Sequence, residues 1–521
     1  MLILLGLFSF LINNLVSNAS GANILGLMGV SSPSHHIWNS VLMHRLAELG
    51  HNVTILSVDL PRSNEKLPPN VHYIHLEEGY SVTGVTNYIG MGVFEFIPIY
   101  YGRKLAAMEC ILKSKGMQTL LDYPDGFNFD LILYDYIIGP YLLGFVHKFN
   151  YPPLIGMSAF HNPPITLDLM SNHYFPAYIP YHSTTYSPVM DFWQRLENTL
   201  IFIADTAYRR LVFLPKVDAL VRPYFPSNMS YLGDISRHTS LAFVNSHPAI
   251  NFVEPLPPNV IEVGGMQMLE PKKLPRDLDE FLNKTRNGAV FVSFGTNMKS
   301  QDFTKEQINT IVKAMANLPQ YNFLWKFDSE YIKVKLPENV LVRKIFPQSD
   351  ILAHPKLKAF VTHCGGLSSQ EAMWHGVPMI GVPLFFDQHR NLRMSIEAGI
   401  AVKLDFLTMT TENLVKAIKN VIEDPKMRQN IKDKSNQFKN RPMKPLDTAV
   451  WWVEYILQNP NPYHLKSHAE RLNIFQANSL DCLMFILAVG ILLIYVMSKI
   501  TVYVCRKTTM ALFNSTKVKI S

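Results

Sequence analysis

The chain has 521 residues, 48% of them hydrophobic, which is enough for two packed domains with length left over for non-globular segments. Lysine and arginine number 48 against 41 acidic residues, and this net charge of +7 is scattered among acids instead of being gathered into basic stripes with interleaved aromatics, which argues against nucleic acid as a partner. The four cysteines (Cys110, Cys364, Cys482 and Cys505) are too few for a disulfide framework, and free thiols are expected at Cys110 and Cys364.

Residues 2–16 are almost wholly apolar and lead into the small residues Ser17, Ala19, Ser20 and Gly21, so residues 1–20 read as a secretory signal. A strand is expected over 23–30, then a helix with Trp38, Leu42, Leu46 and Leu49 at helical spacing, ended by Gly50, then a strand over 53–58. Strand 130–135, helix 140–149 and strand 154–157 repeat the unit of a parallel sheet. The proline- and tyrosine-rich stretch 163–188 has no clear period and reads as loops around a pocket.

A polar, proline-containing segment over 266–287 is the expected linker between a front domain, 21–265, and a back domain, 288–475. The back domain opens with an apolar strand at 289–294. In the helix that follows, Thr304 and Gln307 are spaced as a capping box, and Ile308, Ile311, Val312 and Met315 share one face. Further strands are expected at 323–327, 340–342, 359–362 and 379–382. The predicted architecture is α/β, with two facing, doubly wound Rossmann-like domains, and ligands in such sheets bind beyond the carboxyl ends of the strands.

A second apolar span, 483–504 within a helix expected over 480–505, is long enough to cross a bilayer, with Lys499 placed to snorkel. The segment after it, 506–521, carries Arg506, Lys507, Lys517 and Lys519 without an acid, whereas the preceding flank mixes Lys466, Glu470, Arg471 and Asp481. That asymmetry makes the tail cytoplasmic and puts everything before the span in a lumen. The sequons at Asn52, Asn228 and Asn283 would then be open to glycosylation. Lys517 and Lys519, five and three places from the end, resemble the dilysine signal that returns single-pass type I proteins to the endoplasmic reticulum membrane.

The strand at 359–362 ends in His363-Cys364-Gly365-Gly366, with a helix starting near Ser368, and small residues at such a turn let backbone amides and the helix N-terminus approach a diphosphate. Residues 346–391 also carry Pro347-Gln348, Asp350, His354-Pro355, Glu371, Gly376-Val377-Pro378, Pro383-Leu384-Phe385 and Asp387-Gln388. In this order and spacing the set resembles the signature of the UDP-glycosyltransferase family, and most closely its animal membrane-bound branch of UDP-glucuronosyltransferases and insect UDP-glucosyltransferases. The resemblance extends over nearly the whole lumenal part and implies the GT-B form of the two-domain fold.

Carried over by position, the resemblance implies that Ser293 and Gly295 border the phosphates and that Gln348 touches uracil. It further implies that His363, Gly365 and Ser368 hold the diphosphate, Glu371 accepts from ribose hydroxyls, and Asp387 with Gln388 grips the sugar. Each role suits its chemistry, since a carboxylate can accept from two vicinal hydroxyls and an amide can both donate and accept. The aromatic residue usual three places before the glutamine is replaced by Ile345, so that uracil stacking would be weaker or would fall to Phe346, and the asparagine frequent four places after the histidine is Leu367.

Inverting glycosyl transfer needs a base for the acceptor hydroxyl, and His35, just after the first strand, matches the family's catalytic histidine. Asp135, at the end of another strand, matches the carboxylate that orients it. No metal and no cofactor are implied, only a UDP-sugar donor (UDP-glucose or UDP-glucuronate, with glucose slightly favoured) and a small lipophilic acceptor, and self-association into a homo-oligomer is compatible with these expectations. Tyr174, Phe175, Tyr178, Tyr181, Phe192 and Trp193 suit a broad apolar acceptor pocket. An oxidoreductase would need GxGxxG after the first strand, where Gly26-Leu27-Met28-Gly29 stands instead. The alternative of another class is a catalytically silent relative that binds at the membrane, which the departures at Ile345 and Leu367 favour and the presence of His35 and Asp135 opposes.

Overall fold

Strands in a parallel sheet covered on both faces read as unbroken apolar runs, and such runs dominate this chain. The computed structural model describes residues 21–61, 66–82, 91–170, 174–296 and 298–518, so the expected signal at 1–20 and the final residues 519–521 lie outside the described residues. Seven strands form the front sheet: β1 (Asn23–Met28), β2 (Asn52–Ser57), β3 (Val71–His75), β4 (Leu131–Asp135), β5 (Leu154–Ser158), β6 (Thr239–Val244) and β7 (Val260–Glu262). Their spatial order is β3-β2-β1-β4-β5-β6-β7, and every pairing is parallel.

Six more strands, β8 (Ala289–Ser293), β9 (Asn322–Lys326), β10 (Val340–Arg343), β11 (Leu357–Thr362), β12 (Met379–Gly381) and β13 (Ala401–Lys403), form the back sheet in the order β10-β9-β8-β11-β12-β13, again all parallel. In both sheets the strand order reverses beside the first strand of the set, β1 or β8, which is the switch point where doubly wound sheets open a crevice.

The helices that matter to the site are α1 (Pro33–Glu48), α2 (Val93–Leu112), α3 (Phe192–Tyr208), α4 (Lys305–Ala316), α5 (Gln348–Leu352), α6 (Gly366–His375), α7 (Gln388–Glu397) and α8 (Pro445–Gln458). Helix α1 stops where Gly50 takes φ +102°, and α4 begins with the expected capping box, Thr304 Oγ1 accepting from Gln307 N at 3.2 Å and Gln307 Oε1 from Thr304 N at 2.9 Å. Side chains alternate across each strand, so Ile24 and Met28 pack with Trp38, Leu42 and Leu46 of α1 while Leu25 and Leu27 pack with the α2 side of the sheet.

Two segments lie elsewhere than their position in the chain suggests. Residues 266–287 contain a helix, Arg276–Asn283, whose Leu278 and Leu282 share one face and are buried against Ala289 and Phe291, so the second half of the expected linker belongs to the back core. Helix α8 returns to the front half: Ala449, Val453 and Ile456 join the cluster of Trp38 and Leu46, and His51, which accepts from Ala22 N on Nδ1 at 3.1 Å, donates from Nε2 to Glu454 at 2.7 Å.

The halves are tied by a buried junction. Arg390 on α7 is 1% exposed and donates to Glu254 Oε1 at 3.1 Å and to Pro180 O at 3.4 Å, while the other oxygen of Glu254 accepts from Asn162 Nδ2 at 2.9 Å. Beside it, Gln370 of α6 donates to Asn245 O at 3.0 Å and accepts from Gln267 at 3.0 Å. All four cysteines are free thiols, with Cys364 fully buried.

The chain divides into two units between Lys466 and Ser467. The second unit holds a short helix, Ile474–Ala477, and a long one, Leu480–Val518. Its stretch Leu480–Leu512 is apolar, unburied and long enough to cross a membrane.

Replacing Arg390 by Met strands Glu254 as an unpaired buried carboxylate, which should cost about 3–5 kcal/mol, read as a lowered midpoint of urea unfolding. Adding Glu254→Gln should restore part of the loss, and an unchanged midpoint in Arg390→Met would show that the pair does not hold the halves together.

Candidate active site

The carboxyl ends of both sheets open onto one cleft of about 700 Å³, bordered on the front side by Ser31, Ser34 and His35 and on the back side by Gly295, Gln348, His363 and Gly365. His35 sits in the first turn of α1, which Pro33 starts, immediately beyond β1. Its Nδ1 donates to Asp135 Oδ2 at 2.6 Å across 100 residues of chain, and both side chains are buried. Asn39, one helical turn along α1, also donates to Asp135 Oδ2 at 3.0 Å, and the amide of Ile137 donates to Oδ1 at 3.1 Å. With Nδ1 committed to the carboxylate, the tautomer leaves Nε2 as a proton acceptor on a residue that borders the cleft. Phe160 packs edge-on against the ring at 5.1 Å and limits its rotation. The neighbouring His36 does not border the cleft, and its Nδ1 lies 3.4 Å from Ser57 Oγ.

Across the cleft, His363 follows β11 and lies between two glycines. A Cβ on Gly295 or on Gly365 would come within 2.5 Å of the imidazole, and Gly295 also holds φ +82°, so neither position has room for a side chain. Burial, helped by Lys326, draws the His363 imidazole down to about 4, which keeps it neutral at ordinary pH, and its buried Nδ1 has no partner among the described residues. Helix α6 begins one turn later, with its N-terminal amides aimed at the same space. A neutral imidazole, free helix-end amides and the adjacent Lys326, whose Nζ donates to Gly295 O at 3.1 Å, make a cradle suited to an anion.

Gln348, at the start of α5, donates to Ser368 Oγ at 3.0 Å and to the Glu371 carboxylate, bringing three residues from two helices into one patch. Burial pushes the Glu371 carboxyl up to about 7, against the pull of Gln348 and Lys326. Asp387 is raised to about 6 by burial while accepting from Asn391 Nδ2 at 2.7 Å, and Asn391 in turn donates to Cys364 O at 3.0 Å. The side-chain oxygen of Gln388 accepts from the amides of Leu384 and Phe385 at 2.7 and 3.2 Å, so its NH2 group is the part left to face a ligand.

Phe346 and Ser293 are both largely buried. Phe346 borders the cleft but is 5% exposed, with its ring edge-on to Phe291, and beside it Ile345 is 65% exposed. Ser293 is buried with its hydroxyl turned back to Gly295 N at 3.4 Å and does not border the cleft. Leu367 lies at the cleft and packs against the front-half cluster, exchanging a polar donor for an apolar bridge between halves.

Of the aromatics singled out above, Phe192 and Trp193 are exposed and face each other, Tyr174 stacks on Phe202, and Tyr181 alone borders a cavity continuous with this region, beside Phe160 and Asp387. Sequence reasoning missed Asn39, Lys326, Arg103 and Lys104. Asn39 was findable from its i,i+4 spacing to His35 and Lys326 from its place at the end of β9, whereas Arg103 and Lys104 lie mid-helix with no local signal.

These geometries set an imidazole–carboxylate pair and an anion cradle on opposite sides of one cleft between two α/β halves. A family model described as UDP-glucoronosyl and UDP-glucosyl transferase matches residues 165–513. UDP-glucosyltransferase 2 of Dactylopius coccus is 32% identical over 99% of this chain and 98% of its own length. UDP-glucuronosyltransferase 2B15 of Homo sapiens is 29% identical over 91% of this chain and 92% of its own. Among solved structures, the calicheamicin glycosyltransferase CalG4 superposes with a TM-score of 0.54 at 17% identity, covering 85% of this chain and all of that one, which places the fold in the GT-B class. The chain belongs to the UDP-glucuronosyl and UDP-glucosyl transferase family, and is a glycosyltransferase that uses a UDP-sugar.

Two outcomes follow for donor binding. Ile345→Phe should tighten UDP about 2- to 10-fold, the worth of one base–aromatic contact, as measured by calorimetry; no change would place uracil elsewhere. A ligand whose hydroxyls donate to Glu371 selects the ionised carboxylate, and because that carboxyl is raised to about 7, UDP affinity should rise between about pH 6 and pH 8, with Glu371→Gln flattening the profile.

Proposed function

We propose that this enzyme transfers glucose or glucuronate, with inversion at the anomeric carbon, from the UDP-sugar to a hydroxyl of a small lipophilic acceptor, as in detoxification or in hormone or pigment conjugation. The observation that carries the reading is that His35, bonded to the buried Asp135, and the His363 turn border the same cleft. His35 Nε2 takes the proton of the acceptor hydroxyl, whose oxygen attacks the anomeric carbon as the bond from that carbon to the β-phosphate oxygen breaks and UDP leaves. Asp135, held by Asn39 and the Ile137 amide, fixes the imidazole and stabilises the imidazolium that forms.

The leaving diphosphate is met by the amides opening α6, by His363 and by Ser368, with Gly295 and Gly365 keeping the approach open. Gln348 meets uracil, Glu371 the ribose hydroxyls, and Asp387 with the Gln388 amide the sugar. Glucose is the proposed preferred donor, because the insect relative carrying glucosyltransferase in its name matches over more of this chain than the human glucuronosyltransferase does.

The proposed location is the endoplasmic reticulum membrane, with a single span, the catalytic unit in the lumen and the lysine-bearing tail in the cytoplasm. Asn52, Asn228 and Asn283 are all exposed and would be accessible to glycosylation there.

The test is transfer of labelled glucose and glucuronate from their UDP donors to a panel of phenols by membranes carrying the full chain. His35→Ala should lower turnover by about 10²- to 10⁴-fold with UDP binding retained, and Asp135→Asn should follow it in direction. Turnover undiminished in His35→Ala would remove the proposed base, and absence of transfer by the unmutated chain from either donor would overturn the reading.

A further inference from the structure

Behind Phe160, the ring that packs on His35, the cleft leads to a smaller chamber of about 60 Å³ whose wall is mostly apolar but carries a cluster of charged and polar side chains. Lys104, Asp205, Arg209, Tyr101 and His182 all border it. Most of that charge is already matched. Arg209 is paired with Asp168 and lies 3.8 Å from Asp205, and Asp205 accepts from the Tyr101 hydroxyl at 2.9 Å.

Lys104 is the exception. Its Nζ donates to the Ile137 carbonyl at 2.5 Å and lies over the rings of Tyr100 and Tyr101, 4.2 and 5.4 Å from their centroids, and among the described residues no carboxylate is in salt-bridge contact with it. Carbonyl and ring faces ease the desolvation of an ammonium but do not supply a counter-charge. Lys104 borders both the chamber and the main cleft, and Ile137, whose carbonyl it binds, is the residue whose N–H donates to Asp135. A cation thus stands one residue from the carboxylate that orients His35, on the acceptor side.

We infer that Lys104 is the anchor for an anionic group of the acceptor, so that the enzyme's favoured substrates are hydroxy acids whose hydroxyl meets His35 while their carboxylate enters the chamber beside Lys104. This inference rests on the function proposed above. Burial draws the Lys104 amine down to about 7, with Arg209 adding to the fall and Asp205 and Asp135 opposing it, and a bound carboxylate restores the full charge. A charge-assisted contact of this kind separates an acid from its uncharged ester by about tenfold or more.

The experiment compares 3-(4-hydroxyphenyl)propanoate with its methyl ester as acceptors for the full-length enzyme in membranes, with UDP-glucose and with UDP-glucuronate. The acid is expected to exceed the ester in kcat/KM by about tenfold, and Lys104→Met to bring that ratio to about one, chiefly through KM. Equal use of the two by the unmutated enzyme, or a ratio that Lys104→Met leaves in place, overturns the inference while leaving the transferase reading intact. Failure to use either acceptor or any phenol would instead count against the transferase reading itself. Calorimetric binding of the acid to the UDP-loaded enzyme gives a readout independent of turnover. It should weaken about tenfold in Lys104→Met and recover in Lys104→Arg, and equal binding by all three forms overturns the inference.

Discussion

Every strand in both sheets runs the same way, and that constraint shapes the rest of the molecule. Parallel strands need a crossover on one face or the other after each strand, so the loops that follow the strands collect at a single edge of each sheet. When two such edges face one another, groups that are far apart in the chain border one cleft, as His35 after β1, Gly295 after β8 and His363 after β11 do here, with His35 bonded to Asp135 at the end of β4. The junction of Arg390 with Glu254 and Pro180 keeps the edges facing. It lies one turn from Asp387, so the residue that ties the halves and one of those that border both the cleft and the chamber share a helix end.

The cleft concentrates groups whose charge is expensive to bury. Glu371, Asp387, His363 and Lys104 are all displaced toward their neutral forms, and burial is the largest cause in each case. A packing core has no use for such residues, and their collection around one cleft is the electrostatic mark of a ligand site. The neutral His363 between two glycines is informative in this respect. It can donate one hydrogen bond to a phosphate oxygen without trapping the product by a full charge, and the remaining attraction comes from amide dipoles that are fixed before the ligand arrives.

The two departures from the family pattern acquire different meanings once placed. Leu367 gives up a polar donor and packs on the front-half cluster, adding apolar contact across the cleft. Ile345 presents an aliphatic side chain where the family pattern has an aromatic ring, and the neighbouring Phe346 also borders the cleft but is mostly buried, with its ring edge-on to Phe291. One position of register separates a mostly exposed residue from a mostly buried one, and that choice depends on which side of the chain the core lies.

Much of this was readable in one dimension. The apolar runs of β1, β4, β8 and β11, the Gly50 stop, the capping box at Thr304 and the apolar span near the C-terminus are local, because strand burial, helix ends and bilayer length each act over a few neighbouring residues. So was the candidacy of His35, Asp135, His363 and Glu371, each at or just beyond a strand end or early in the helix after it. What tertiary structure alone decided were relations between distant segments: the 2.6 Å contact of His35 with Asp135, the return of α8 to the front sheet, the retreat of Ser293 from the cleft, and the arrival of Lys104 and Lys326 in it. The physical reason is that local pattern states which residues seek burial or exposure, whereas the partner each one finds depends on how two sheets twist and dock, a quantity summed over the whole chain and written at no single position.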